Sequence, residues 1–156
     1  MTLKRTRYET CAEIDYARRL FERHELLYAR FAKWIKLTTT LLALAPVASL
    51  LEKLPKEVGI AAAVLAAALS LWDVIYDPTS HSFRYEQRRR VYQSLKASVS
   101  DLDDAALLRQ LEVTRIDDPP TLSSLREPAY KDVMNSLGHT SHHKLTLLER
   151  AFCWAS

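Results

Sequence analysis

The chain of 156 residues contains two glycines, Gly59 and Gly138, where an average composition of about 7% would give roughly eleven. Phosphate loops, dinucleotide-binding turns and hairpin-rich sheets all need glycine at positive φ, so those classes are excluded and an all-α fold is expected. Lys and Arg number 22 against 19 Asp and Glu, a formal charge of +3, which is only mildly basic. Cys11 and Cys153 are too few and too distant for a disulfide framework and fit a reducing compartment. The first 36 residues alternate charged and apolar groups, so no cleavable signal peptide is expected there.

In chain order, Ile14, Ala17, Phe21, His24, Tyr28, Phe31 and Ile35 recur at alternating steps of three and four. That spacing predicts a helix with a heptad seam. Two uncharged windows of 15 residues follow, Leu37–Leu51 and Val58–Trp72. Each gives about 22 Å of helix at ~1.5 Å per residue, against a hydrocarbon core of about 30 Å that takes roughly 17 to 25 residues. The flanks extend them. Trp34 and Lys36 precede the first window, and Trp72, Asp73 and Tyr76 close the second. A reversal at Leu54–Pro55 brings both groups to one height, as an aromatic belt with Lys36 snorkelling and available to Asp73. Spans of 34–51 and 58–76 then hold 18 and 19 residues.

The expectation is an all-α, long antiparallel two-helix transmembrane hairpin (roughly 9–51 and 56–99) with a coiled stalk. Nine Lys/Arg lie in residues 1–36, and Arg84, Arg88, Arg89, Arg90 and Lys96 follow the second span, while the tip carries only Lys53 and Lys56. The positive-inside rule therefore puts the stalk and both termini in the cytoplasm. A soluble alternative would bury the same windows inside a helical oligomer. Tyr85, Arg88, Tyr92, Leu95, Val99 and Leu102 continue the downstream seam. Asp77-Pro78 predicts a kink or break near 77–82, and Pro46 a bend in the first span. Residues 1–100 thus form the hairpin and stalk, and 101–156 a small C-terminal helical region. Within it, helices are expected over about 101–114 and 122–137, separated by Asp117-Asp118-Pro119-Pro120 and ended by Gly138. Leu145, Leu148, Phe152 and Trp154 then mark a stretch that could dock on the bundle or lie on a membrane.

Several residues invite functional readings. Gly59, Ala63 and Ala67 repeat every four residues, as do Ala62, Ala66 and Ser70. Such small-residue faces let helices approach closely, one towards the chain's own first span and one towards a second copy, although plain alanine filler gives the same pattern. Thr38, Thr39, Thr40 and Ser49 could line a water path or bond back to the carbonyl one turn earlier. Arg84, Arg88, Arg89 and Arg90 make a basic cytoplasmic flank suited to anionic headgroups, and no nucleic-acid motif accompanies them. His24 is either a pH-sensitive partner of His81 or a histidine satisfied within the seam. His139, His142, His143 and Cys153 lack the spacing of a closed zinc site, so no metal is assigned. No catalytic constellation or cofactor motif is legible, and no enzyme activity is expected.

Three segments carry a family resemblance: the amphipathic YARRLFERHELLYARFAKW entering the hairpin, RYEQRRRVYQSL leaving it, and RIDDPPTLSSL beyond. Their order over about residues 10–137 resembles the SLATT family, the SMODS- and SLOG-associating two-transmembrane effector domains. The resemblance implies an oligomeric bacterial inner-membrane effector of a host or prophage defence system that forms a pore or perturbs the membrane. It implies as partners the lipid bilayer, further copies of the chain and a sensor or nucleotidyltransferase expected to act in trans, since these 156 residues carry no segment that reads as one. It supplies no catalytic residues. A non-enzymatic helical scaffold and a holin-like phage membrane protein are the alternatives.

Overall fold

A computed structural model describes residues 6–50, 55–138 and Thr146, without the side chains of 45–50 and of Lys56. The described elements are helical: α1 (Arg7–Leu50), α2 (Lys56–Tyr76), α3 (Pro78–Ala97), α4 (Asp104–Ile116) and α5 (Arg126–Ser136), with 3₁₀ turns at Ser98–Asp101 and Ser123–Leu125. No strand occurs among the described residues. The all-α expectation holds, and its helix limits fall close to those read from periodicity. Two compact units divide the chain: residues up to Leu27 together with those from Ser82 onward, and Tyr28–His81. The expected division at residue 100 marks a change of sequence character. The first unit joins segments from both sides of it, because α4 contacts α1 and α3 and α5 packs on α1.

In that unit the partners of α1 run backwards along the chain. Arg7 donates to the carbonyls of Val99 and Leu102, Asp15 accepts from Lys96, Phe21 meets Tyr92 and Tyr85, and Glu25 accepts from Arg89. The start of α1 and α3 are therefore antiparallel. Their seam buries Ile14, Ala17, Phe21, His24, Tyr85, Tyr92 and Leu95, the positions that the heptad spacing selects. Arg115 of α4 pairs with Glu13 at 2.7 Å and Asp132 of α5 with Arg23 at 2.8 Å. Leu125 and Ala129 pack on Leu20, with Tyr16 and Leu27 alongside. Asp103 caps α4 by accepting from the Ala106 N–H at 2.8 Å, which satisfies one of the orphan donors of the first turn.

The second unit holds the rest of α1, all of α2 and the first turn of α3. The helix break falls at a single residue, Asp77. Its φ of 39° and ψ of 64° are left-handed, a conformation that short polar side chains tolerate when they bond locally. Here the Asp77 N–H donates to the Asp73 carbonyl at 2.9 Å and closes α2. The Asp77 carboxylate accepts from the Ser80 N–H at 3.1 Å and opens α3. Pro78 supplies the first residue of α3, where the missing N–H costs nothing. One residue thus ends one helix and starts the next.

Two sequence expectations need correction. A strict heptad puts Phe31 in the seam, yet Phe31 is 42% exposed and Ala32 is buried instead. The buried series runs 21, 24, 28, 32, 35, so one four-residue step is inserted. A straight helix drifts from a 3.5-residue repeat in this way, and the stutter moves the stripe by one position. Lys36 was expected beside Asp73, but its ammonium reaches the Thr79 hydroxyl at 3.5 Å, and one Asp73 carboxylate oxygen is buried with no hydrogen-bond partner. α1 runs unbroken through position 46. At the far end Gly138 follows α5 with φ of 79°, the left-handed residue expected just past a helix terminus.

Candidate functional site

The densest polar cluster in the described residues is the packing of the Asp117–Leu122 turn against α1 and α3. Tyr85, Arg88 and Tyr92 sit at steps of three and four and share one face of α3. The Tyr85 hydroxyl donates to the Pro120 carbonyl at 2.6 Å. Arg88 donates through Nε to the Asp117 carbonyl at 3.0 Å and through Nη2 to that of Thr114 at 3.4 Å. The Tyr92 hydroxyl donates to Oδ2 of Asp118 at 2.6 Å. The other Asp118 oxygen is buried without a hydrogen bond, and Arg88 Nε stands 3.6 Å from it. That separation is too long for a hydrogen bond, so this contact is a charge interaction only. The Pro119-Pro120 pair cannot donate backbone N–H groups, so α3 holds the turn through its carbonyls and carboxylates.

His24 completes the cluster from α1. It is fully buried, and its ring stacks on Tyr85 with centroids 4.8 Å apart. Nδ1 lies 2.7 Å from the Leu20 carbonyl, and Nε2 accepts from the Leu122 N–H at 2.8 Å. A carbonyl only accepts and a backbone N–H only donates. The ring is therefore neutral, with its proton on Nδ1. Burial lowers the His24 pKa from its ordinary value; the Leu20 carbonyl opposes this, and the positive charge of Arg126 adds to it. Burial raises the pKa of Tyr92, and the bond to Asp118 raises it further. Burial likewise raises that of Asp118, against the pull of Tyr92, Arg88 and Arg115.

The arginines read as a basic flank divide accordingly. Arg88 binds the turn, Arg89 pairs with Glu25 at 2.7 Å, Arg90 pairs with Glu86 at 2.6 Å, and Arg84 is exposed. His24 has Tyr85 for its ring partner rather than His81. In the other unit, His81 stacks on Tyr28 at 5.3 Å and lies 5.5 Å from Tyr76. Sequence reasoning assigned Tyr85, Arg88, Tyr92 and His24 to the seam but not to the turn. The available signal was their co-occurrence with Asp117-Asp118-Pro119-Pro120, the only di-proline in the chain.

The second unit presents a different surface. Trp34, Leu41, Leu44, Ile60, Val64, Leu71, Trp72, Val74 and Ile75 are all more than half exposed. The helical stretch Glu57–Asp101 contains a window long and apolar enough to cross a membrane, of which 11% is buried. Among the interface anchors, Trp72 stacks on Tyr76 at 5.9 Å, and Tyr76 also meets Tyr28 and the edge of Phe31. Gly59, Ala62 and Ala66 are buried, while Ala63, Ala67 and Ser70 are exposed. Of the hydroxyls, Thr40 donates back to the Lys36 carbonyl and Ser70 to the Ala66 carbonyl, each at 2.8 Å. Thr39 Oγ1 is buried without a partner, and Thr38 is exposed. The side chains of Ser49 and Pro46, the tip at 52–54, His139, His142, His143, Leu145, Leu148, Phe152, Cys153 and Trp154 lie outside the described residues. Among the described residues no cluster of three or more metal-ligating groups occurs. No protein-family model, curated protein or solved structure matches the chain.

Proposed function

We propose that this chain is an oligomeric membrane effector of a bacterial defence or conflict system. In this reading the spans 34–51 and 58–76 insert in the inner membrane as an antiparallel hairpin, both termini are cytoplasmic, and assembly forms a pore or perturbs the bilayer. The observation that carries the membrane step is the exposure of the apolar stretch in α2. A core helix of a soluble protein is mostly buried, whereas Val64, Leu71, Val74 and Ile75 each expose more than 60% of their surface. A contiguous apolar band of that extent marks an interaction surface, and lipid is the solvent that suits it on every side. Internal bonds of Thr40 and Ser70 also suit lipid, because hydroxyls that bond back to their own helix leave no unsatisfied donor.

Assembly and effector action rest on the SLATT resemblance and on the exposed Ala63 and Ala67 face, which is free to meet a second copy. A sensor or nucleotidyltransferase acting in trans would supply the trigger. Two measurements test the reading. The purified chain should stay in the membrane through alkaline extraction and require detergent in solution. Induced expression should depolarise bacterial cells, and Ala63→Leu with Ala67→Leu should reduce both assembly and depolarisation. A monodisperse particle in plain buffer would overturn the membrane step, and intact potential at full expression would overturn the effector step.

A further inference from the structure

We propose that the Asp117–Leu122 turn is an acid-released latch: neutral His24 holds Leu122, and a proton taken up at its Nε2 frees residues 117–138 from α1 and α3. The geometry makes the two protonation states incompatible with one backbone position. Nε2 is the acceptor for the Leu122 N–H at 2.8 Å, and a proton from solvent occupying that lone pair would leave two donors facing each other. The Nδ1 side offers no escape, because its proton is already committed to the Leu20 carbonyl at 2.7 Å. A buried imidazolium would also need a counter-charge. The groups around the ring are Tyr85 from α3, the Leu122 amide from the turn, and Arg126 from α5, whose positive charge opposes protonation. The nearest carboxylate along α1, Glu25, is bound by Arg89.

The sign follows from linkage. The folded-state pKa of His24 lies below its ordinary value of 6.5, so the open state binds more protons in the window below pH 6.5. The closed state is therefore fully favoured above that pH and weakens as pH falls through the window. Asp118 carries the opposite sign. Its folded-state pKa is raised, so acidification relieves its burial rather than opening the turn. Loss of the latch as pH falls below 6.5 would accordingly belong to the histidine.

The test uses the full chain in detergent, with hydrogen–deuterium exchange of peptides covering 117–138 corrected for the intrinsic pH dependence of exchange. Protection should fall at least tenfold between pH 7.5 and pH 5.0, and His24→Gln, which offers a non-titrating acceptor, should show less than a threefold change. Equal losses in both proteins, or no loss in the parent, would overturn the latch. If His24→Gln is unprotected at every pH, the imidazole ¹⁵N shifts of the parent decide. Titration below pH 6.5 from the Nδ1–H tautomer, with the same midpoint as the loss of protection, supports the latch; a different midpoint overturns it. Exchange in this region reads independently of alkaline extraction and of depolarisation, so failure of the latch and failure of the membrane reading are separate outcomes.

Discussion

The two compact units satisfy their side chains in opposite ways. Around His24 the polar groups turn inward and find partners, with tyrosine hydroxyls, a neutral imidazole and an arginine holding a turn that carries two aspartates and two prolines. In the Tyr28–His81 unit α1 buries Tyr28, Ala32 and Ile35, α2 buries only small residues such as Ala62 and Ala66, and most of the large apolar side chains face out. The first is the organisation of a water-soluble bundle, where burial of apolar surface drives packing. The second keeps its bulk on the outside and its smallest residues between helices, which is the pattern that close packing in lipid favours. Exposed apolar side chains of that number are what the proposed membrane reading rests on, and the contrast between the units is where that reading can be tested.

The sharpest way to break the contrast is to damage the core of the first unit. Phe21 is 2% exposed and its ring lies against Tyr85 and Tyr92. Phe21→Ala should cost about 3–5 kcal/mol in denaturant unfolding, whereas Phe31→Ala, at a site excluded from the seam, should cost much less. Next comes a charge on the outward face of α2. Val64→Lys should disfavour insertion by about 3 kcal/mol and shift the chain from the membrane to the soluble fraction. Val113→Lys, at a similarly exposed position on α4, should stay within about 0.5 kcal/mol of the parent in stability. If both substitutions behave alike, the two units share one solvent.

Smaller effects sharpen the picture of the turn. Tyr92→Phe removes the donor to a half-buried carboxylate, and about 1–3 kcal/mol of stability should go with it. The loss should be greatest near neutral pH and shrink as Asp118 takes up its own proton at acid pH. The Lys96–Asp15 pair should matter least. Its lysine is nearly half exposed, so Lys96→Ala should change the unfolding midpoint by less than about 1 kcal/mol in stability terms. A larger cost there would mean that the antiparallel seam depends on charge as well as packing.

Much of this was legible before any coordinates. The seam positions Ile14, Phe21, Tyr85 and Tyr92 follow from a local period, because every residue on one helix face recurs at three or four steps. The break at Asp77 follows from the proline after it, and the end of α5 from Gly138. The stutter that trades Phe31 for Ala32 was not legible, since either residue suits an amphipathic helix and only the accumulated twist of the real seam chooses between them. The partners within the basic run were not legible either. Arginines on a helix surface look equivalent in sequence, and which of them meets a carboxylate depends on what packs opposite.

What the sequence determined by itself is therefore what repeats along one helix or runs uninterrupted in hydropathy: the all-α class, the approximate helix limits, the charge-free windows and the seam as far as Tyr28. Those properties come from neighbours within a turn or two. What the tertiary structure alone decided is the docking of the Asp117–Leu122 turn. The Tyr92–Asp118 bond joins residues 26 apart and the His24–Leu122 bond residues 98 apart. No local period encodes such pairings. They exist because folding excludes water from the junction of α1, α3 and the turn, and a polar group left inside is stabilised by a partner from whichever part of the chain arrives there.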